Sequence, residues 1–173
     1  MTATEGIAQV NALATNTALS MWSVASDFLI IIILFGILFF FAWYIGRATL
    51  VSVLLAFYAA YAVYIVFPYT SFLPTAPAMT ALLAHVGLYA CLTLVFFIIL
   101  RRVIVSDFLS VSIFGTIILS FLGAAFLLAL AFQVFPVANV YNFTSAVSAL
   151  FAPAELFFWW FVAPAIALFF FAR

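Results

Sequence analysis

Long apolar runs, rather than an alternation of apolar and polar positions, organise this chain. Five stretches each hold the roughly 20 mostly apolar residues that a helix needs to cross a bilayer core. Short polar or proline-bearing segments separate them. The first runs from Asp27 to Ile45 and stops at Gly46-Arg47. The second, Ala48 to Phe67, follows with almost no loop, which predicts a tight helical hairpin ending at Pro68. The segment YTSFLPTAPAM reads as an ordered external loop, because Pro74 and Pro77 fit poorly inside a helix. The third stretch, Met79 to Leu100, closes on Arg101-Arg102. The fourth begins at Ser106-Asp107 and reaches Phe132, and the fifth covers Ala154 to Ala172 before Arg173. Between the last two, the segment from Gln133 to Pro153 is more polar, and Thr144 to Phe151 has the makings of a short interfacial helix. The pattern predicts an all-α, polytopic membrane protein with a five-span domain over residues 26–173.

Residues 1–25 have a different periodicity. Ile7, Val10, Leu13, Ala14, Met21 and Val24 share one helical side, with Gln9, Asn16, Ser20 and Ser23 opposite. This predicts an amphipathic helix, lying either on the outer leaflet or as a lid over the protein's own outer face. A signal peptide is not expected, since a positive n-region and a compact apolar core before a cleavage site are both missing.

Inside the bilayer, helices associate through close approach of small residues. Rows at four-residue spacing occur in span two (Ala48, Ser52, Ala56, Ala60) and span four (Ser112, Thr116, Ser120, Ala124, with Gly115 and Gly123 nearby). Both are expected to be helix contact faces. Tyr58, Tyr61 and Tyr64 form a stripe whose hydroxyls are expected to reach partners or the interface. An internal echo, Ser26-Asp27-Phe28-Leu29 with Phe35-Gly36 against Ser106-Asp107-Phe108-Leu109 with Phe114-Gly115, has two explanations. One is an inverted repeat of the transporter kind; the other is that Ser-Asp is a good helix start wherever it occurs.

Charge converts the spans into a topology. The chain has four arginines, no lysine, four carboxylates and one histidine, with 5% charged and 72% apolar residues overall. Arg47, Arg101, Arg102 and Arg173 all fall on one side if five spans alternate, and Lys and Arg gather in short cytoplasmic loops. The amino terminus is therefore expected outside and the carboxyl terminus in the cytoplasm. The formally neutral chain becomes two opposed faces, with Glu5, Asp27 and Glu155 outside and the arginines with Asp107 inside. Trp22, Tyr64, Tyr69, Trp159 and Trp160 are expected in the outer aromatic belt, and Trp43 and Tyr44 in the inner one. Such a balance excludes a nucleic-acid-binding surface and a polybasic lipid-binding segment.

Little of this inventory points to chemistry. Arg47, Arg101, Arg102, Asp107 and Arg173 read as inner-face anchors and caps. Asp27 reads as a first-turn cap, and Glu155 sits where a helix start favours an anion. His85 is the one ionisable side chain placed within a span. Glu155, Asp27 and Gln133 are its possible partners in the outer half. A histidine–carboxylate pair there would suit proton-linked gating, whereas a neutral histidine bonded to a neighbouring helix would be structural. Cys91 is the single cysteine, so neither a disulfide nor a thiolate metal cage is expected. No nucleophile elbow or phosphate-binding glycine loop occurs, and no cofactor is expected.

The arrangement resembles the colicin V production protein family of small bacterial inner-membrane proteins over roughly Asp27 to Phe135. The residues that carry it are Asp27, the Gly46-Arg47 exit and the following aromatic span. They continue with the Arg101-Arg102 turn and the Asp107-led span containing Phe114-Gly115 and Gly123. The family is usually drawn with four spans, and has a more charged loop with a Glu where this chain has Ala48 or Thr49. The resemblance implies an accessory role in the cell envelope or export, and brings no catalytic residues. The resulting expectation is a non-enzymatic structural or accessory protein of the bacterial cytoplasmic membrane, working as a homo-oligomer or with another membrane subunit. The alternative is a small proton-linked transporter or channel using His85 and the outer acidic residues.

Overall fold

Six α-helices carry most of the described chain. The computed structural model describes residues 3–103, 111–135, 137 and 140–171. Helix α1 is Ala3–Ile45, α2 Arg47–Val66, α3 Ala78–Val103, α4 Ile113–Gln133, α5 Ser145–Phe151 and α6 Ala154–Phe171; a 3-10 turn occupies Thr70–Phe72 in the proline loop. Five of these contain a segment long and apolar enough to cross a membrane: Ala25–Ile45 of α1, and α2, α3, α4 and α6 throughout. Asp107 and Arg173 lie outside the described residues, as does the Ser106–Leu109 half of the internal echo. The side chains of residues 3–20 and 22–24, which bear most of the proposed amphipathic face and include Trp22 of the expected outer belt, lie outside them too.

Two helix starts differ from the sequence expectation. The amino-terminal segment and the first span are one continuous helix of 43 residues, about 64 Å long at 1.5 Å per residue. Asp27 was expected to open a helix, but it sits well inside one, where the preceding turns already satisfy the backbone N–H groups a cap would serve. Helix α4 starts at Ile113 rather than Asp107 and has 21 residues. Its N-cap is Ser112, extended at φ −64° and ψ 161°, whose side chain accepts from the Gly115 N–H at 3.0 Å. Ser112, expected in the packing row, is therefore the cap; its hydroxyl is committed to the first turn.

The turn between α1 and α2 is a single residue, Gly46, at φ 124° and ψ 143°. That region is essentially closed to residues with a Cβ, so glycine is what allows the two helices to reverse without a loop. Helices α4 and α2 form the buried centre, with α1, α3 and α6 around them. Ser52, Ala56 and Ala60 are buried on α2, as are Thr116, Ser120, Gly123 and Ala124 on α4. Ser120 is fully buried and its hydroxyl makes no hydrogen bond among the described residues, so its small size rather than its polarity suits it to the seam. Gly123 marks the closest approach: a Cβ there would lie 2.7 Å from Leu54 Cδ2 and 3.0 Å from Leu38 Cδ1. Three helices meet over that glycine.

Proline 164 lies inside α6 and is buried. It removes one donor from the helix ladder and crowds the preceding turn. In that turn the Phe161 carbonyl accepts Tyr58 Oη at 2.5 Å, which supplies α6 with a hydrogen bond from α2. The Tyr58 ring also stacks on Phe126 and meets Phe161 edge-on, joining α2, α4 and α6.

Candidate functional site

The four polar residues singled out from sequence are not gathered into one site. Asp27 is 1% exposed. Its Oδ1 accepts Tyr141 Oη at 2.8 Å, and its Oδ2 accepts both the backbone N–H and the hydroxyl of Thr144 at 2.7 Å each. All three donors are neutral. Thr144 is the N-cap of α5, yet its hydroxyl serves Asp27 rather than its own helix. The carboxylate thus ties α1 to the start of α5. Ser26 Oγ lies 3.3 Å from the same tyrosine hydroxyl.

His85 is bonded elsewhere, its Nδ1 lying 2.7 Å from Tyr64 Oη with the two rings edge to face. Tyr64, expected in the outer aromatic belt, is only 7% exposed and contacts Tyr89 and Phe135 as well. Tyr89 donates to the Phe57 carbonyl at 2.9 Å. Both links, Tyr64 to His85 and Tyr89 to Phe57, join α2 to α3 and are centred close to Pro74 in the chain. Folding α2 and α3 back on each other about the proline loop brings just these residues opposite, a signal that sequence does contain. Gln133 donates to the Ala152 carbonyl at 2.6 Å, and Trp160 Nε1 donates to the Leu150 carbonyl at 2.9 Å. These two bonds satisfy free carbonyls at the end of α5. Glu155 is exposed in the first turn of α6.

Two cavities stand out among the described residues. The larger, about 730 Å³, is an apolar crevice between α1 and α3, floored by α2 and α4. On α1 its wall runs from Ile30 to Phe41, and on α3 from Leu82 to Phe97. The α1 wall is about 16 Å tall, half the thickness of a bilayer core. The Phe41 and Phe97 rings, 6.0 Å apart, meet at one end. Tyr141 and Phe143 stand at the other, next to Asp27. Val86 and Leu94 line the crevice while being 39% and 59% exposed, so it opens sideways between the helices. The second cavity, about 370 Å³, lies under the Gly46 turn and is lined by Arg47, Thr49, Ser52 and Arg101 among others. Arg102 is exposed beside it in sequence. His85 lines neither cavity.

Among the described residues no group of three His, Cys, Asp or Glu side chains could hold a metal ion. The sequence reading missed the crevice, which depends on where α3 stands relative to α1 and has no local signature. The chain matches no family model, and neither a curated protein nor a solved structure is detectably similar to it.

Proposed function

We propose that this is a non-enzymatic accessory protein of a membrane assembly that holds one hydrocarbon chain of a lipid in the crevice between α1 and α3. The crevice is the observation that carries the reading. Its lining is almost wholly apolar side chains, it opens sideways at the depth of the spans, and its volume is about 730 Å³. A hydrocarbon chain is much narrower than a helix of 10–12 Å diameter, and a lining that offers almost no polar group suits such a chain. Polar groups are spent on structure: Asp27, His85, Tyr89 and Gln133 each have a partner within the fold.

The position of Arg47 and Arg101 at one end of the bundle supports placing that end in the cytoplasm. The amino terminus is then outside, and the crevice, running from Ile30 to Phe41 of the span Ala25–Ile45, straddles the middle of the bilayer. The accessory role agrees with what the resemblance to colicin V production proteins implies, in the cytoplasmic membrane of a bacterium. Exposed apolar faces on α1, α3 and α6 are available for lipid, further copies or another subunit.

Mass spectrometry of the protein released gently from membranes tests this reading. At least one lipid per chain should survive collisional activation. Ala90→Trp, which fills the crevice from an exposed position on α3, should remove it while leaving the helical fold intact. Equal lipid retention by wild type and this variant would overturn the assignment.

A further inference from the structure

The cavity under the Gly46 turn has a composition that its size alone does not explain. Arg47 begins α2 and Arg101 lies in the last turn of α3, 54 positions apart, and both line the same 370 Å³ space. Among the described residues neither guanidinium is paired with a carboxylate. Two cations facing one cavity repel unless an anion lies between them.

The remaining wall supplies donors. The N-cap of helix α2 is Gly46, which has no side chain to serve the first turn, and that turn contains no acidic residue. The first backbone N–H groups of a helix have no partner within it and carry the positive end of the dipole. Thr49 adds a hydroxyl, while its N–H is spent on the Gly46 carbonyl at 3.1 Å. Ser52 is the independent observation. It is 3% exposed, it lines the cavity, and its hydroxyl makes no hydrogen bond among the described residues. Its hydroxyl is not sealed in the core as that of Ser120 is, so whatever fills the cavity can reach it.

Two guanidiniums, two hydroxyls and a helix start offer many donors around one space. Tetrahedral oxyanions match such a set, and arginine binds phosphate oxygens in a two-pronged fashion. We propose that this cavity binds a phosphoryl anion, supplied by the headgroup of an anionic phospholipid. The choice of a lipid over free phosphate rests on the crevice reading. Phe41 and Phe97, at the end of the crevice nearer the basic cavity, each stand one helical turn from a residue lining that cavity, Ile45 and Arg101. Basic pockets between spans at the cytoplasmic side are a recurrent way of holding such headgroups.

The test uses the full chain, stripped of lipid in a neutral detergent. Phosphatidylglycerol and inorganic phosphate are titrated separately against thermal unfolding, with phosphatidylcholine as the neutral lipid control. Saturable stabilisation by phosphatidylglycerol, weaker with phosphatidylcholine and absent with inorganic phosphate, is the expected result. Arg101→Gln, at an exposed position, should weaken that binding about tenfold or more, the scale of one charge-assisted hydrogen bond. Ser52→Ala should weaken it less while keeping the close helix contact. Ala90→Trp should abolish chain retention but leave the Arg101-dependent preference for phosphatidylglycerol over phosphatidylcholine, so failure of the crevice reading is distinguishable from failure of this one. Saturable binding of inorganic phosphate that Arg101→Gln weakens would keep the anion site and overturn the lipid source. No response to either ligand, or responses unchanged in both variants, would overturn the site.

Discussion

Helices α3 and α4 have the same mean hydropathy over their crossing windows, 2.4, yet 61% of that window is buried in α4 and 6% in α3. Hydropathy places a helix in the bilayer without saying what it touches there, because lipid tails and protein interiors are equally apolar. Side-chain size makes the difference. On α4, Gly115, Thr116, Ser120, Gly123 and Ala124 let neighbouring backbones approach, and α1, α2 and α6 close around it. On α3 the buried residues are only Ala81 and Tyr89, and Leu83, Leu94, Val95, Ile98 and Ile99 face outward. The same amino acid illustrates both environments. A Cβ on Gly123 would meet Leu54 at 2.7 Å, whereas one on Gly87 would meet nothing within 4 Å. Because α3 stands mainly against α2, the space beside α1 stays open, and that space is the crevice.

Breaking the centre should have the largest effect. Gly123→Leu forces a branched side chain against Leu54 and Leu38, which are 1% and 6% exposed and have little room to yield. A loss of about 3 kcal/mol is expected, the upper end for overpacked cores, measured by denaturant unfolding in detergent. Asp27→Ala comes next. It leaves the Thr144 N–H and hydroxyl and the Tyr141 hydroxyl without their acceptor, for a loss of roughly 2 kcal/mol. Hydrogen exchange should then speed up in α5 while α3 is unchanged.

The Asp27 link also marks the limit of what sequence discloses. Its partners lie 114 and 117 positions away. Nothing near Asp27 separates a buried acceptor from a helix cap, since Ser-Asp favours a helix start by local logic alone. The same logic misplaced the start of α4, where Ser112 caps and the helix begins six residues later than Asp107 would have it. Features carried by neighbouring residues were legible. The five apolar helices, the reversal at Gly46 and a short helix after Thr144 all follow from composition and punctuation. His85 was singled out for being ionisable, but its Tyr64 partner follows from folding α2 and α3 about the proline loop.

Smaller effects belong to α3. Tyr89→Phe removes the bond to the Phe57 carbonyl, one of two hydrogen bonds from α3 side chains to α2, and should cost about 1 kcal/mol. Crosslinks between α2 and α3 should become less specific. Gly87→Ala should be neutral or stabilise by roughly 0.5–1 kcal/mol, since it relieves a glycine from an open helix position. Destabilisation there would mean that α3 is packed on the face that contains Gly87 and is no more open there than α4 is at Gly123.

The central claim is that α3 stands away from α1 far enough to admit a lipid chain. An experimentally determined structure of the full chain in a phospholipid nanodisc tests it most directly. The account predicts elongated density running along Ile30 to Phe41 between the two helices, ending at the Phe41–Phe97 contact. Helix α3 packed directly against α1, with Val86 and Leu94 touching α1 and no space between them, would contradict it.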